Sequence, residues 1–262
     1  MPNIKIKNLT ASYVDKNKNK TPVFENFNAD FDDAKINVIV GPSGCGKTTL
    51  IKCLCQQLDY EGEIFFDDVN IQTLDTRKMN IGYINQSFVL YPKMTVFENI
   101  AFPLSQQRMH PDDINYLVRC IAKKLGLTAC LTRLPKEISI GQQQRVAIAR
   151  ALVKQPKVCF FDEALTNLDK PLAQEIRMIL KKFLSEYKCT SIYVTHDFTE
   201  AMALSDKIYV INDKKIEVSG TPKEIFEMGG TPQELFDSGN ETIEFLKKSY
   251  LVEGKSNYGL NK

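Results

Sequence analysis

One stretch constrains this chain before any other: Gly41-Pro42-Ser43-Gly44-Cys45-Gly46-Lys47-Thr48-Thr49. The apolar run Ile36-Asn37-Val38-Ile39-Val40 precedes it, and Leu50-Ile51-Lys52-Cys53-Leu54 follows. The spacing G-x-x-x-x-G-K-[ST] therefore stands where its chemistry needs it, between a buried strand and a helix. The glycines let the backbone curl around an anion in conformations that a Cβ resists. Loop N–H groups and the helix N-terminus then face phosphates, with Lys47 reaching the β- and γ-phosphates and the Thr48 hydroxyl suited to Mg²⁺. A chance glycine loop beside a lysine would carry neither the strand nor the helix. The stretch predicts a nucleoside triphosphate site in an α/β fold.

Taken in order, the remaining residues supply strands and helices around that loop. Residues 3–9 place Ile4, Ile6 and Leu9 on one side and Lys5 and Lys7 on the other, a half-exposed strand rather than a signal peptide. Asp15–Lys20 reads as a solvated turn. Tyr13, just before it, has two readings: a half-buried strand aromatic, or a flat π-face for stacking on adenine. Gly62–Phe66 and Ile81–Ile84 read as strands, the second followed by Asn85-Gln86. From about Ser87 to Pro156 the pattern turns helical, with Ile114, Leu117, Val118, Ile121 and Leu125 following the acidic start Asp112-Asp113. Gln142–Gln155 makes a further helix, closed by Pro156. The wholly apolar Val158–Phe161 is the pattern of a strand buried on both faces of a parallel sheet. A helix with Leu172, Ile176, Ile179, Leu180, Phe183 and Leu184 on one stripe comes next. The strand Ile192–Val194 follows, then a hairpin of Ile208–Ile211 with Ile216–Val218. Thr221–Phe226 and Thr231–Phe236 each read as a capping box, and Gly254–Lys262 as a polar, frayed end.

Three later clusters narrow what the phosphate loop serves. Asp162-Glu163 ends the buried strand, where one acid can hold a Mg²⁺ shell and the next can orient or deprotonate water. Thr195-His196-Asp197 ends the following strand, so His196 reaches the same carboxyl edge. Ser139-Ile140-Gly141-Gln142 opens a helix, and a Ser hydroxyl beside a Gly amide there is an anion receptor; alone it would be an ordinary polar cap.

Composition excludes several classes. A net charge of +2 supplies no basic field for nucleic acid. No apolar run approaches the ~20 residues of a transmembrane helix, so service to a membrane would need a partner. Seven cysteines without a C-x-x-C pair read as reduced cytoplasmic thiols, with Cys53, Cys120 and Cys159 expected among apolar neighbours.

On these ordered motifs, over nearly all of residues 1–225, the chain resembles the ATPase subunits of ATP-binding cassette (ABC) transporters. Gly41–Thr49 matches the Walker A loop, Val158–Glu163 the Walker B strand and Ser139–Arg145 the signature. Gln86 matches the Q-loop, His196 the H-loop, Thr166-Asn167-Leu168-Asp169 the D-loop and Tyr13 the adenine-stacking position. The resemblance implies a P-loop NTPase (RecA-like) core over 1–86 and 157–220 with an antiparallel β subdomain. It implies an inserted helical subdomain over 87–156, and 221–262 as a short helical extension. ATP would be bound by Tyr13, residues 41–49, Gln86, Ser139, Gly141, Gln142 and Asp169, and Mg²⁺ by Thr48, Gln86 and Asp162. Glu163 would act as general base, with Lys47 and His196 assisting. Two such subunits, identical or not, would sandwich two ATP molecules, each site pairing one Walker A with the other's Ser139 and Gly141. Transmembrane permease subunits, and an extracellular solute-binding protein, would complete the assembly, with this chain peripheral on the inner face of the membrane.

Two positions depart from the family pattern. Ile140 stands for the first glycine of Leu-Ser-Gly-Gly-Gln, and Ala164 for the proline after Walker B, so a working but slow ATPase is expected. Tyr83–Ile100 looks like the importer branch for sugars, polyamines and anions; the forty or so residues after Gly220 are too few for the regulatory domain common there. The alternatives are an exporter or lipoprotein-release ATPase, and a soluble cassette acting on DNA or ribosomes. Fewer than a hundred residues separate Walker A from the signature, and there is one cassette, which weakens the last.

Overall fold

Burial alternates along the first strand and is complete along the central ones, and that difference sorts the strands into two sheets. The computed structural model describes residues 1–15, 19–75, 79–165, 168 and 170–228. Strands β1 (Ile4–Val14), β2 (Lys20–Phe31), β4 (Tyr60–Phe66) and β5 (Val69–Asn70) form an antiparallel sheet in the order β2-β1-β4-β5. The second sheet has the order β10-β9-β3-β8-β7-β6. Its members are β3 (Ile36–Val40), β6 (Ile81–Ile84), β7 (Val158–Asp162), β8 (Thr190–Thr195), β9 (Lys207–Asn212) and β10 (Lys215–Gly220). All its neighbours run parallel except the β9–β10 hairpin.

Every residue of β3, β7 and β8 is buried because both faces of the sheet are covered. On one face Val38, Phe161 and Tyr193 pack with α2 (Val96–Gln106), α3 (Pro111–Lys124), α4 (Ile140–Leu152), α5 (Lys170–Glu186) and α6 (Phe198–Leu204). On the other face Ile39, Phe160 and Ile192 pack with α1 (Lys47–Leu54) and the antiparallel sheet. Residues 96–152 thus contribute three helices between β6 and β7, and α7 (Pro222–Met228) closes the described chain with Thr221 and Glu224 in mutual cap bonds.

Several expectations need correction. β2 was not anticipated: its inward Phe24, Phe27 and Phe31 are spaced unevenly, because a bulge at Asn26 (φ 55°) breaks the period of two. The helix expected to start at Gln142 begins at Ile140, since Ser139 is its cap. Cys120 is exposed, because the inward stripe of α3 is Val118, Ile121 and Ala122. All seven cysteines are free thiols, and burial pushes Cys53 and Cys55 up to about 12. The second capping box at 231–236 and the end at 254–262 lie outside the described residues. Among the described residues no helix is long and apolar enough to cross a membrane.

Candidate functional site

Parallel register brings the strand ends together. Val40 pairs with Thr195, Asp162 with Val194 and Ile84 with Phe161, so Gly41, Glu163, His196 and Gln86 all leave the sheet at one edge. That edge is where ligands bind in open α/β sheets.

The phosphate loop is shaped by close approaches. At Gly41 an added Cβ would stand 2.2 Å from the Ile211 carbonyl oxygen of β9. Gly46, at φ 102°, caps α1 without a side chain, and a Cβ there would meet the Phe24 ring at 2.6 Å. Among the described residues no N-cap side chain bonds the first N–H groups of α1, the condition for receiving an anion. Buried Lys47 donates to the carbonyls of Gly41 and Pro42, both at 2.9 Å, and lies 3.8 Å from Cys45 Sγ. Burial pushes the Cys45 thiol up, against the pull of the Lys47 ammonium. Pro42 O accepts from Cys45 N and closes the turn, while Ser43 and Gly44 lie exposed at its tip. Tyr13 is exposed beside α1, its hydroxyl 3.3 Å from Thr49 Oγ1 and accepting from Lys52 Nζ, whose ammonium sits 5.3 Å from the ring centroid.

Two acids follow β7 with different surroundings. Asp162 is buried and accepts from Thr48 Oγ1 at 2.9 Å. Burial raises its pKa, the Thr48 hydroxyl lowers it, and the neighbouring charge of Glu163 raises it again. Glu163 has φ 48°, a left-handed conformation that a non-glycine residue holds only when its surroundings fix it. Its N–H donates to Val194 O at 3.0 Å. Its carboxylate accepts from Gln86 Nε2 at 3.3 Å and lies 3.4 Å from His196 Nδ1. Hydroxyl and carboxylate oxygens at Thr48 and Asp162 are the hard donors that Mg²⁺ prefers.

Ser139, Gly141 and Gln142 behave differently. Ser139 Oγ accepts from Gln142 N, Gln142 Oε1 accepts from Ser139 N, and among the described residues no hydrogen bond joins this cap to residues 41–49. Gly141 is buried where a Cβ would come 2.3 Å from Leu172 Cδ2 of α5, and Ile140 is 63% exposed. Asp169 lies outside the described residues. Two polar residues escaped the sequence reading. Gln144 donates to Ala164 O just after Glu163, and Glu200, buried on α6, accepts from the Tyr193 and Thr195 hydroxyls. A lone acid inside the run Phe198–Leu204 was the available signal for the second.

Comparison with known proteins places these features in context. Residues 24–166 match the family described as ABC transporter. The chain is 38% identical over 228 residues to the sn-glycerol-3-phosphate import ATP-binding protein UgpC of Psychromonas ingrahamii, covering 87% of this chain and 60% of that protein. It is 38% identical to the Fe(3+) ions import ATP-binding protein FbpC of Fusobacterium nucleatum, covering 86% and 60%. With UgpC of Bartonella bacilliformis it shares 36% over 258 residues, 98% of this chain and 74% of that one. The chain thus spans about three fifths of the length of the first two. A dimeric ATP-binding cassette solved in a post-hydrolysis state with ADP and Pi superposes with a TM-score of 0.75 at 30% identity, covering 84% of this chain and 98% of that one.

Proposed function

The chain belongs to the ABC transporter family, and from that premise we propose that it is the ATP-hydrolysing subunit of an importer, working through separate permease subunits. The observation that carries this reading is the bonded cluster at the strand edge. Glu163 stands between Gln86 and His196, next to Asp162 and its Thr48 hydroxyl. An acid fixed on both sides is positioned to accept a proton from water attacking a γ-phosphorus, and His196 to orient that water and the phosphate. Lys47 would exchange its two carbonyl acceptors for phosphate oxygens, neutralising charge that grows during transfer. Mg²⁺ held by Thr48, Asp162 and Gln86 would screen the β- and γ-phosphates. Residues 41–49 cradle the phosphates and Tyr13 meets the base.

Ser139, Gly141 and Gln142 would supply the anion receptor for a second subunit's nucleotide, a reading compatible with the cap's lack of a bond to residues 41–49 among the described residues. Asp169 belongs to the same interface. We take 1–86 and 157–220 as the core, 87–156 as the helical subdomain that meets the permease, and 221–262 as an extension. The similarity to the glycerol-phosphate and ferric-ion import ATP-binding proteins favours import over export. The chain then sits on the cytoplasmic face of the membrane, and the cargo is selected by the permease and a solute-binding protein.

The test is Glu163→Gln in the full chain. It should bind ATP, persist as an ATP-trapped dimer and lose turnover by about 10³-fold. From membranes, the same variant should co-purify with a permease. Undiminished turnover would remove Glu163 as the base, and a chain that binds no ATP would remove the reading altogether.

A further inference from the structure

The carboxylate most deeply buried in the described chain plays no part in that chemistry. Glu200 is 3% exposed, yet both its oxygens are engaged: Tyr193 Oη donates to Oε1 and Thr195 Oγ1 to Oε2, each at 2.6 Å. Its own N–H donates to Asp197 Oδ1 at 3.0 Å, and Asp197 N donates to Thr195 Oγ1 at 3.0 Å. Thr195 and Asp197 are therefore both tied to Glu200 and to each other, and His196 is the residue between them. The Thr195 hydroxyl accepts from Asp197 N and donates to Glu200, so one side chain links the cap of α6 to the buried carboxylate. Tyr193 in turn stacks on Phe161 of β7 at 5.5 Å, one residue before Asp162.

We infer that Glu200 is a positioning residue for His196: its carboxylate grips the turn at the end of β8 and so sets where the imidazole meets Glu163. A buried carboxylate is expensive unless fully bonded, so a chain that only needed to cap α6 would do better with Asp197 alone. The carboxylate's bonds run instead to Thr195, the residue before His196, and to Tyr193 on the strand that presents it. Short charge-assisted bonds of this kind fix a backbone more tightly than neutral ones. The inference rests on the proposed hydrolytic role of His196, but its geometry can be read without turnover.

The chain has two histidines, so His110→Asn, at the exposed cap of α3, leaves His196 as the single imidazole reporter. In that background Glu200→Ala should shift and broaden the His196 ring signals in NMR spectra of the nucleotide-free full chain. It should also lower kcat about 10²-fold, with KM for ATP changed by no more than about twofold. Adding His196→Ala should cost nothing further, because both substitutions remove one function. Should Glu200→Ala fail to fold, Glu200→Gln serves: it keeps one acceptor, turns a donor toward a hydroxyl, and should move the same signals and lower kcat about tenfold. Unchanged ring signals in a folded variant, or losses that multiply in the double variant, would overturn the inference. Moved ring signals in a chain that hydrolyses no ATP would leave it standing and remove the ATPase reading instead.

Discussion

The two edges of the six-stranded sheet handle charge in opposite ways. At the carboxyl edge Asp162 and Glu200 are buried carboxyls whose pKa values burial pushes up, partly offset by hydroxyl donors. At the amino edge Asp32 accepts from Lys207 at 2.9 Å and from Lys35 at 3.3 Å, which hold its carboxyl below its usual range against a desolvation penalty that pushes the other way. The amino edge is also densely stitched. Thr190 Oγ1 accepts from Ala34 N and donates to Pro2 O, Asp206 accepts from Ile36 N, and buried Asn37 bonds to Asp32 through both its oxygen and its nitrogen. Charge at the amino edge is paired and stabilises the fold. Charge at the carboxyl edge is buried against hydroxyl donors at some expense to stability, as expected beside a site where chemistry is done.

The largest effect should come from the tightest point of the carboxyl edge. Gly41→Ala would drive a methyl into the Ile211 carbonyl, and backbone cannot yield. A loss of about 3 kcal/mol in urea-melt stability is expected, near the top of the range for overpacking. Gly141→Ala meets a similar distance, 2.3 Å, but against the tip of the Leu172 side chain, which can rotate. It should cost about 1 kcal/mol. Equal losses would mean that the two contacts are equally hard, and that the edge owes nothing to backbone rigidity.

Asp162→Asn should go the other way. A carboxyl with a raised folded pKa adds stability below its unfolded pKa and loses it as pH rises through the folded value, so at neutral pH the charge is a net cost. In chelator-treated buffer the variant, which keeps an oxygen for the Thr48 hydroxyl, should melt roughly 2–4 °C higher at pH 7. The gain should vanish below about pH 4, where the wild-type carboxyl is protonated in both states. A lower Tm at pH 7 would show that Lys47 and Lys52 outweigh burial.

Much of the carboxyl edge was legible because each member follows a short apolar strand directly: Gly41 after Val40, Asp162-Glu163 after Phe161, His196 after Thr195. Parallel register does the rest, since Val40 pairs with Thr195, Asp162 with Val194 and Ile84 with Phe161. What stayed hidden is tertiary. Glu200 stands out as a lone acid in the run Phe198–Leu204, but nothing in the sequence says that the Tyr193 and Thr195 hydroxyls converge on it. Gly141 reads as part of an anion receptor, and nothing in the sequence says that Leu172 presses on it. The amino edge was illegible for the same reason, because Asp32, Lys35 and Lys207 meet across 175 positions of chain. β2 failed on periodicity, its bulge at Asn26 shifting which residues face inward.

Asp32→Asn should have the smallest effect, with the sign reversed from Asp162→Asn. Because Lys207 and Lys35 lower the Asp32 pKa, its contribution is present above the ordinary carboxylate range and is lost as pH falls through the lowered value. The side chain is 35% exposed, so solvent screens much of the attraction, and roughly 0.2–1 kcal/mol is expected at pH 7. The loss should shrink in 1 M salt, where the screening length is about 3 Å. It should shrink as pH falls below the ordinary carboxylate range and disappear only below the lowered value, where wild type and variant should melt together. Thermal melts of Asp32→Asn and Asp162→Asn over one pH series would then diverge in opposite directions from a common acid limit. Parallel curves would mean that both edges hold their carboxylates in the same way, and that the distinction between a stabilising edge and a working edge is wrong.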